Sequence, residues 1–229
     1  MQFLKETIVA MLQGVPYTII IALIAMVVGL IVGTVFALIR LKRVPVLSQI
    51  IVVYNSFFRS TPLIVQLFLF YYGLPALIIA MNARFGSHLN PDVLSPLMIA
   101  CIAFSLHATA YLSEAVKGGL LAVDRGQVEA AQTVGLSRFN IYRRIIVPQA
   151  FGYALPNIEN QCIMIIKGTA LAFAVQVTEI MAVSTEIGNE GYRFVPVYIT
   201  AALFYWGIAI VLEYIFGKFE HRTTRYLAV

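Results

Sequence analysis

Apolar residues in this chain come in long continuous runs, separated by short segments where charged residues gather. A membrane-crossing helix needs roughly 20 apolar residues. Five regions reach that length, at about residues 15–39, 47–79, 94–116, 151–183 and 194–216. Pro16 is expected near the start of the first helix, where its missing N–H is harmless. Gly29 and Gly33 form a small-xxx-small pair that lets a second helix approach closely. The second region is long enough to be tilted or broken. Pro62 is expected to kink it, because the ring removes a hydrogen bond and clashes with the preceding turn. The fourth contains Glu159 and Lys167 within an otherwise apolar run.

Composition strengthens this reading. The 229 residues are 60% hydrophobic and only 12% charged, whereas soluble domains carry roughly a quarter charged residues. A membrane β-barrel would show alternating segments of about ten residues, which are absent. Continuous runs call for helices, which satisfy their own backbone hydrogen bonds in lipid. The expected fold class is therefore all-α, a polytopic bundle of five transmembrane helices.

Charge adds orientation. The basic residues sit in the loops, which marks topology rather than a nucleic-acid face. Arg40, Lys42, Arg43, Lys117, Arg125, Arg138, Arg143, Arg144, Lys218, Arg222 and Arg225 fall on one side, against Lys5, Arg84 and Arg193 on the other. This bias predicts the N-terminus outside and the C-terminus in the cytoplasm. Lys5 and Glu6, with no small-residue cleavage site after a short apolar core, suggest a retained first helix. Cys101 and Cys162 lie in apolar stretches without metal-ligand spacing and read as small buried hydrophobes.

There is no internal repeat and no second soluble domain, so a single domain over residues 1–229 is expected. The sizeable cytoplasmic segment runs from Lys117 to Pro148. Asp124 can cap a short helix that Gly135 ends. Ser137 can cap a second, carrying Phe139, Ile141 and Tyr142, with Pro148 separating it from the fourth span. Such a pair suits docking into a groove on a soluble partner or lying on lipid headgroups; amphipathicity alone leaves both open.

The residues favour docking. Glu129-Ala130-Ala131, Gly135, and Ile145 before Val147-Pro148 resemble the EAA motif of ABC importer permeases, with Val147 in place of a leucine. The resemblance implies that residues 124–148 form a coupling segment seated on an ATPase subunit. Glu129, Ala130, Ala131, Gly135 and Pro148 are the implied coupling residues. Small surfaces permit close docking, and a glutamate can pair with a basic partner residue. The stretch from Phe58 to Gln66 resembles the Arg-Gly-Thr-Pro-Leu-x-x-Gln sequence of polar amino acid permeases, with Ser60 replacing the glycine. Ala110 to Glu114, Lys117-Gly118-Gly119, Leu155-Pro156 and Lys167 to Leu171 are similar to the same branch. Two positions depart from it: Glu159 where a small residue is frequent, and Gly168 where an acid is common. The resemblance implies a subunit of the bacterial cytoplasmic (inner) membrane, working as a homo- or heterodimer with ABC ATPase subunits and an extracytoplasmic amino acid-binding protein. Cystine or an opine is the alternative cargo.

An ionisable group deep in a bilayer costs at least about 2.5–3.5 kcal/mol on insertion scales, so it should face the bundle interior or water. Arg59 lies about 12 residues into the second region, on the order of 18 Å at helical rise. Thr61 and Gln66 follow beside the expected kink. Glu159 and Lys167 are about two turns apart, with Asn157 and Asn160 nearby. Together with Glu114 these form the candidate substrate pathway, in which Glu159 is expected to meet a cationic group. The alternative is that the charged members pair with each other and only fix packing. His107 reads as a packed polar residue, and Glu179 and Glu213 as interfacial.

No nucleophile–base constellation and no Gly-x-x-x-x-Gly-Lys-Ser/Thr phosphate loop is present. The chain is thus expected to be a transport subunit without its own cofactor, ATP and Mg being bound by the partner ATPase. An ion-coupled secondary transporter fits poorly, since an inverted repeat is missing.

Overall fold

The computed structural model describes residues 2–223. The side chain of Arg222 and all of Arg225, both counted above among the basic tail residues, lie outside the described residues. The described chain is helical throughout: α1 (Gln2–Leu41), α2 (Leu47–Ser60), α3 (Leu63–Phe85), α4 (Pro96–Ala122), α5 (Arg125–Thr133), α6 (Arg138–Ile141), α7 (Val147–Gly168), α8 (Ile180–Gly191) and α9 (Phe194–Thr223). Five helical stretches are long and apolar enough to cross a membrane: Gln2–Leu41, Leu63–Phe85, Pro96–Ala122, Arg138–Val175 and Phe194–Glu220.

The centre of the bundle is α4, packed between α1 and α7. Small residues make this possible. A Cβ on Gly29 would lie 2.9 Å from Ala108 Cβ, and one on Gly33 would lie 2.9 Å from the Ser113 backbone nitrogen. Both contacts advance together along the two helices, so α1 and α4 run parallel, as spans separated by one return crossing must. On the other flank, a Cβ on Gly119 would sit 2.4 Å from the Ala150 carbonyl oxygen of α7. In lipid, packing rather than water exclusion holds helices together, and small residues admit close backbone contact. Cys101 and Cys162 are free and buried in this core.

Three helix boundaries differ from expectation. Pro16 lies inside α1, which begins at Gln2 rather than near residue 15. Pro62 does not kink a continuous helix but ends one and starts another: Thr61 and Pro62 are both extended, with ψ of 142° and 136°. This follows from the bias of a pre-proline residue away from helical dihedrals. The fourth span ends at a 3₁₀ stretch, Thr169–Val175, rather than continuing to residue 183. Gln176, with φ of 64°, turns the chain before α8 starts.

Pro148 is also placed differently. It does not separate the α5–α6 segment from the fourth span. A π-helical turn, Tyr142–Ile146, joins α6 directly to α7, and the Val147 N–H bonds back to Tyr142. The wider turn accommodates the proline ring without breaking the helical path.

Candidate functional site

The α2–α3 break exposes carbonyls that a continuous helix would have used, and the sequence supplies donors for Phe57 O, Phe58 O, Arg59 O and Thr61 O. Thr61 covers Phe57 O with its backbone N–H and with Oγ1, at 3.0 and 2.8 Å. Gln66 Nε2 donates to Phe58 O at 2.9 Å, to Thr61 Oγ1 at 2.8 Å and to Thr61 O at 3.1 Å. Tyr111 Oη on α4 donates to Arg59 O at 3.3 Å. Gln66 is fully buried, and its Oε1 meets His107 Nδ1 at 3.0 Å. It is thus a brace for the break rather than a lining residue, and His107 is the packed polar group expected.

Beside the break lies a charged cluster. Glu114 of α4 accepts a charge-assisted hydrogen bond from Arg40, at the end of α1, through Oε1. The same oxygen accepts from Asn55 Nδ2 of α2 at 3.0 Å, and Asn55 also donates to Ser113 Oγ at 2.8 Å. Arg59 stands farther off, its guanidinium 3.8 Å from that oxygen and 47% exposed, against 16% for Arg40. The Arg59 guanidinium also lies over the Tyr111 ring, 5.6 Å from its centroid.

Two cavities meet at this cluster. One, of about 330 Å³, is lined by Arg59, Tyr111, Glu114 and Ala115, and by Asn157, Asn160, Gln161 and Met164 of α7. The other, of about 460 Å³, is lined by Arg40, Asn55, Ser56, Arg59 and Glu114 among others. Small-molecule sites span about 300–1,000 Å³. The α7 residues follow an i, i+3, i+4, i+7 pattern, so one face of that helix forms the wall.

The structure therefore gathers Arg59, Glu114, Asn157 and Asn160. It does not bring Glu159 or Lys167 to them. Glu159 turns away on α7, within electrostatic reach of Glu213 and Glu220 on α9. Lys167 is exposed at the C-terminal end of α7. Among the described residues, the ion pairs are those of Glu114 with Arg40 and Arg59. Arg40, Asn55 and Tyr111 were missed by sequence reasoning. Arg40 looked like one more loop cation, and only the parallel packing of α1 on α4 carries it to Glu114. Glu179 is fully buried, caps α8 by accepting from the Ala182 N–H at 2.8 Å, and accepts from Tyr205 Oη at 2.5 Å.

The segment between α4 and α7 forms its two capped helices as expected. Asp124 accepts from the Gly126 N–H at 3.0 Å to cap α5. Gly135, at φ of 79°, closes it with bonds from Gly135 N to Gln132 O and from Leu136 N to Ala131 O. Ser137 caps α6 through the Asn140 N–H. Glu129, Ala130, Gly135 and Pro148 are exposed and Ala131 is buried. Val134 and Phe139 project beside them, 77% and 71% exposed.

A family model described as the binding-protein-dependent transport system inner membrane component matches residues 25–225. The chain belongs to this family. It is a multi-pass membrane permease component of an ABC transporter, and not an enzyme. The permease is 38% identical over 210 residues to the probable amino-acid ABC transporter permease protein PatM of Vibrio harveyi, covering 92% of this chain and 90% of the relative. It is 36% identical over 224 residues to the probable amino-acid permease protein YxeN of Bacillus subtilis (strain 168), covering 98% and 96%. A crystal structure of an amino acid ABC transporter with histidines superposes with a TM-score of 0.77 at 26% identity, over 93% of this chain and 94% of that one.

Proposed function

We propose that this permease imports amino acids across the bacterial cytoplasmic membrane. It works as a single-domain subunit beside a second permease chain, ABC ATPase subunits that bind ATP and Mg, and an extracytoplasmic binding protein. The observation that carries the reading is the polar cavity among α2, α4 and α7, set in a bundle whose exposed residues include many large hydrophobics. Charged groups placed there are costly unless they serve a pathway or each other. The names of the similar permeases support the cargo class.

The pathway residues are Arg59, Glu114, Asn157 and Asn160, with Thr61 and Gln66 holding the α2–α3 break beside them. The N-terminus faces out and the C-terminus in, which puts α5 and α6 on the cytoplasmic side. There Glu129, Ala130 and Gly135 form the contact with the ATPase, buried Ala131 anchors the helix beneath them, and exposed Val134 and Phe139 supply apolar surface for its groove. The π turn makes α6 and α7 one continuous path past Pro148, so displacement of the docked segment is delivered directly to the cavity wall.

The test is reconstitution in proteoliposomes with the co-purified ATPase and binding protein, measuring uptake of radiolabelled amino acids. Uptake should require ATP and cease when the ATPase is omitted. Transport driven by an ion gradient without any ATPase overturns the proposal.

A further inference from the structure

The cluster beside the cavity holds two arginines and one glutamate, and the three are not equivalent. Arg40 and Asn55 both bond Glu114 Oε1, so that carboxylate is already neutralised. Arg59, at 3.8 Å, stands beyond hydrogen-bond distance. Among the described residues its guanidinium makes no hydrogen bond, so its fork of donors faces the cavity and solvent. Its position is nevertheless fixed: Cζ lies over the Tyr111 ring, 5.6 Å from the centroid, and the Tyr111 hydroxyl bonds the Arg59 carbonyl. The other polar groups on the α7 wall, Asn157, Asn160 and Gln161, are neutral. Glu159, the remaining acid of this helix, faces α9 instead. The cavity thus carries one excess positive charge on a planar fork of donors. Such a fork matches a carboxylate through two parallel hydrogen bonds.

We infer that Arg59 is the group that reads the α-carboxylate of the transported molecule, while Arg40 keeps Glu114 from competing for it. This inference rests on the cavity being the substrate pathway and names what that pathway recognises. It requires a substrate with a free carboxylate and disfavours amines and amides that carry only positive charge. Glu159 then plays no part in recognising a cationic end.

The experiment uses the permease–ATPase complex in nanodiscs without binding protein, so that the delivering protein's own specificity does not enter. Binding of L-glutamine, L-glutamate, L-arginine and L-cystine is compared with binding of the α-carboxamide of each. In the wild type, at least one amino acid should bind, and at least tenfold more tightly than its carboxamide. Arg59→Gln should erase that ratio by weakening the acid alone, and Arg59→Lys should restore part of it. The Arg40–Glu114 pair remains in both variants, and gel filtration checks their assembly. Met164→Trp, which fills the cavity, should abolish binding of acid and carboxamide alike. Equal wild-type binding of acid and carboxamide, both lost in Met164→Trp, overturns the role of Arg59 while leaving the cavity as the pathway. Binding that survives Met164→Trp overturns the pathway itself. Failure of every probe to bind overturns the inference as well, and the wild-type comparison decides the matter even if Arg59→Gln does not assemble.

Discussion

Two regions flanking α4 show opposite ways of building an interface in lipid. Along α1 and α7, glycines bring backbones together and leave no room for a side chain. At the α2–α3 break, the backbone is interrupted and its freed carbonyls are met by Thr61, Gln66 and Tyr111. The first is rigid through shape, the second through hydrogen bonds. The cavity opens beside the break, with α7 supplying its far wall beyond the close contact at Gly119. The difference is physical: close backbone packing excludes everything, whereas a break compensated by side chains leaves space between helices and polar groups around it.

The largest effect should come from breaking the tight side. Gly119→Val would drive side-chain atoms into the Ala150 carbonyl, where a Cβ already falls at 2.4 Å. Overpacking typically costs about 1–3 kcal/mol, and a backbone obstacle puts this change at the top of that range. The yield of assembled protein after detergent extraction should collapse. Gly118→Ala next to it meets nothing within 4 Å and should extract like the wild type.

A smaller loss should follow on the polar side. Gln66→Leu keeps the volume but strips the donors from Phe58 O and Thr61 O and the partner from His107. Leaving buried acceptors unmet costs about 1–3 kcal/mol, so the thermal unfolding midpoint should fall, with Gln66→Glu failing to restore it because a carboxylate cannot donate. The smallest effect is expected outside both regions. Glu159→Gln alters a side chain that does not line the cavity, and reconstituted uptake should stay within about twofold of wild type. A large loss there would move the pathway toward α9.

The sequence made much of this legible. Long apolar runs produced the five crossings, and the Gly29/Gly33 spacing announced the close approach to α4. Asp124, Gly135 and Ser137 identified the caps of α5 and α6 because capping is chemistry between near neighbours. Boundaries at proline were read less well. Pro16 sits inside α1, and at Pro148 a π turn that the sequence does not display keeps the helical path continuous.

What the sequence determined alone was the solvent, the number of crossings, the capped segment and the kinds of residue available for a site. Tertiary structure decided which of the ionisable residues meet. Glu159 and Lys167, near each other along one helix, are not paired among the described residues, while Arg40 and Glu114, 74 positions apart, are bonded. Helical spacing gives the direction of a side chain only relative to its own helix. The partner it finds depends on how α1, α2 and α7 are rotated against α4, and for α1 and α7 that rotation is constrained by the close contacts at Gly29, Gly33 and Gly119.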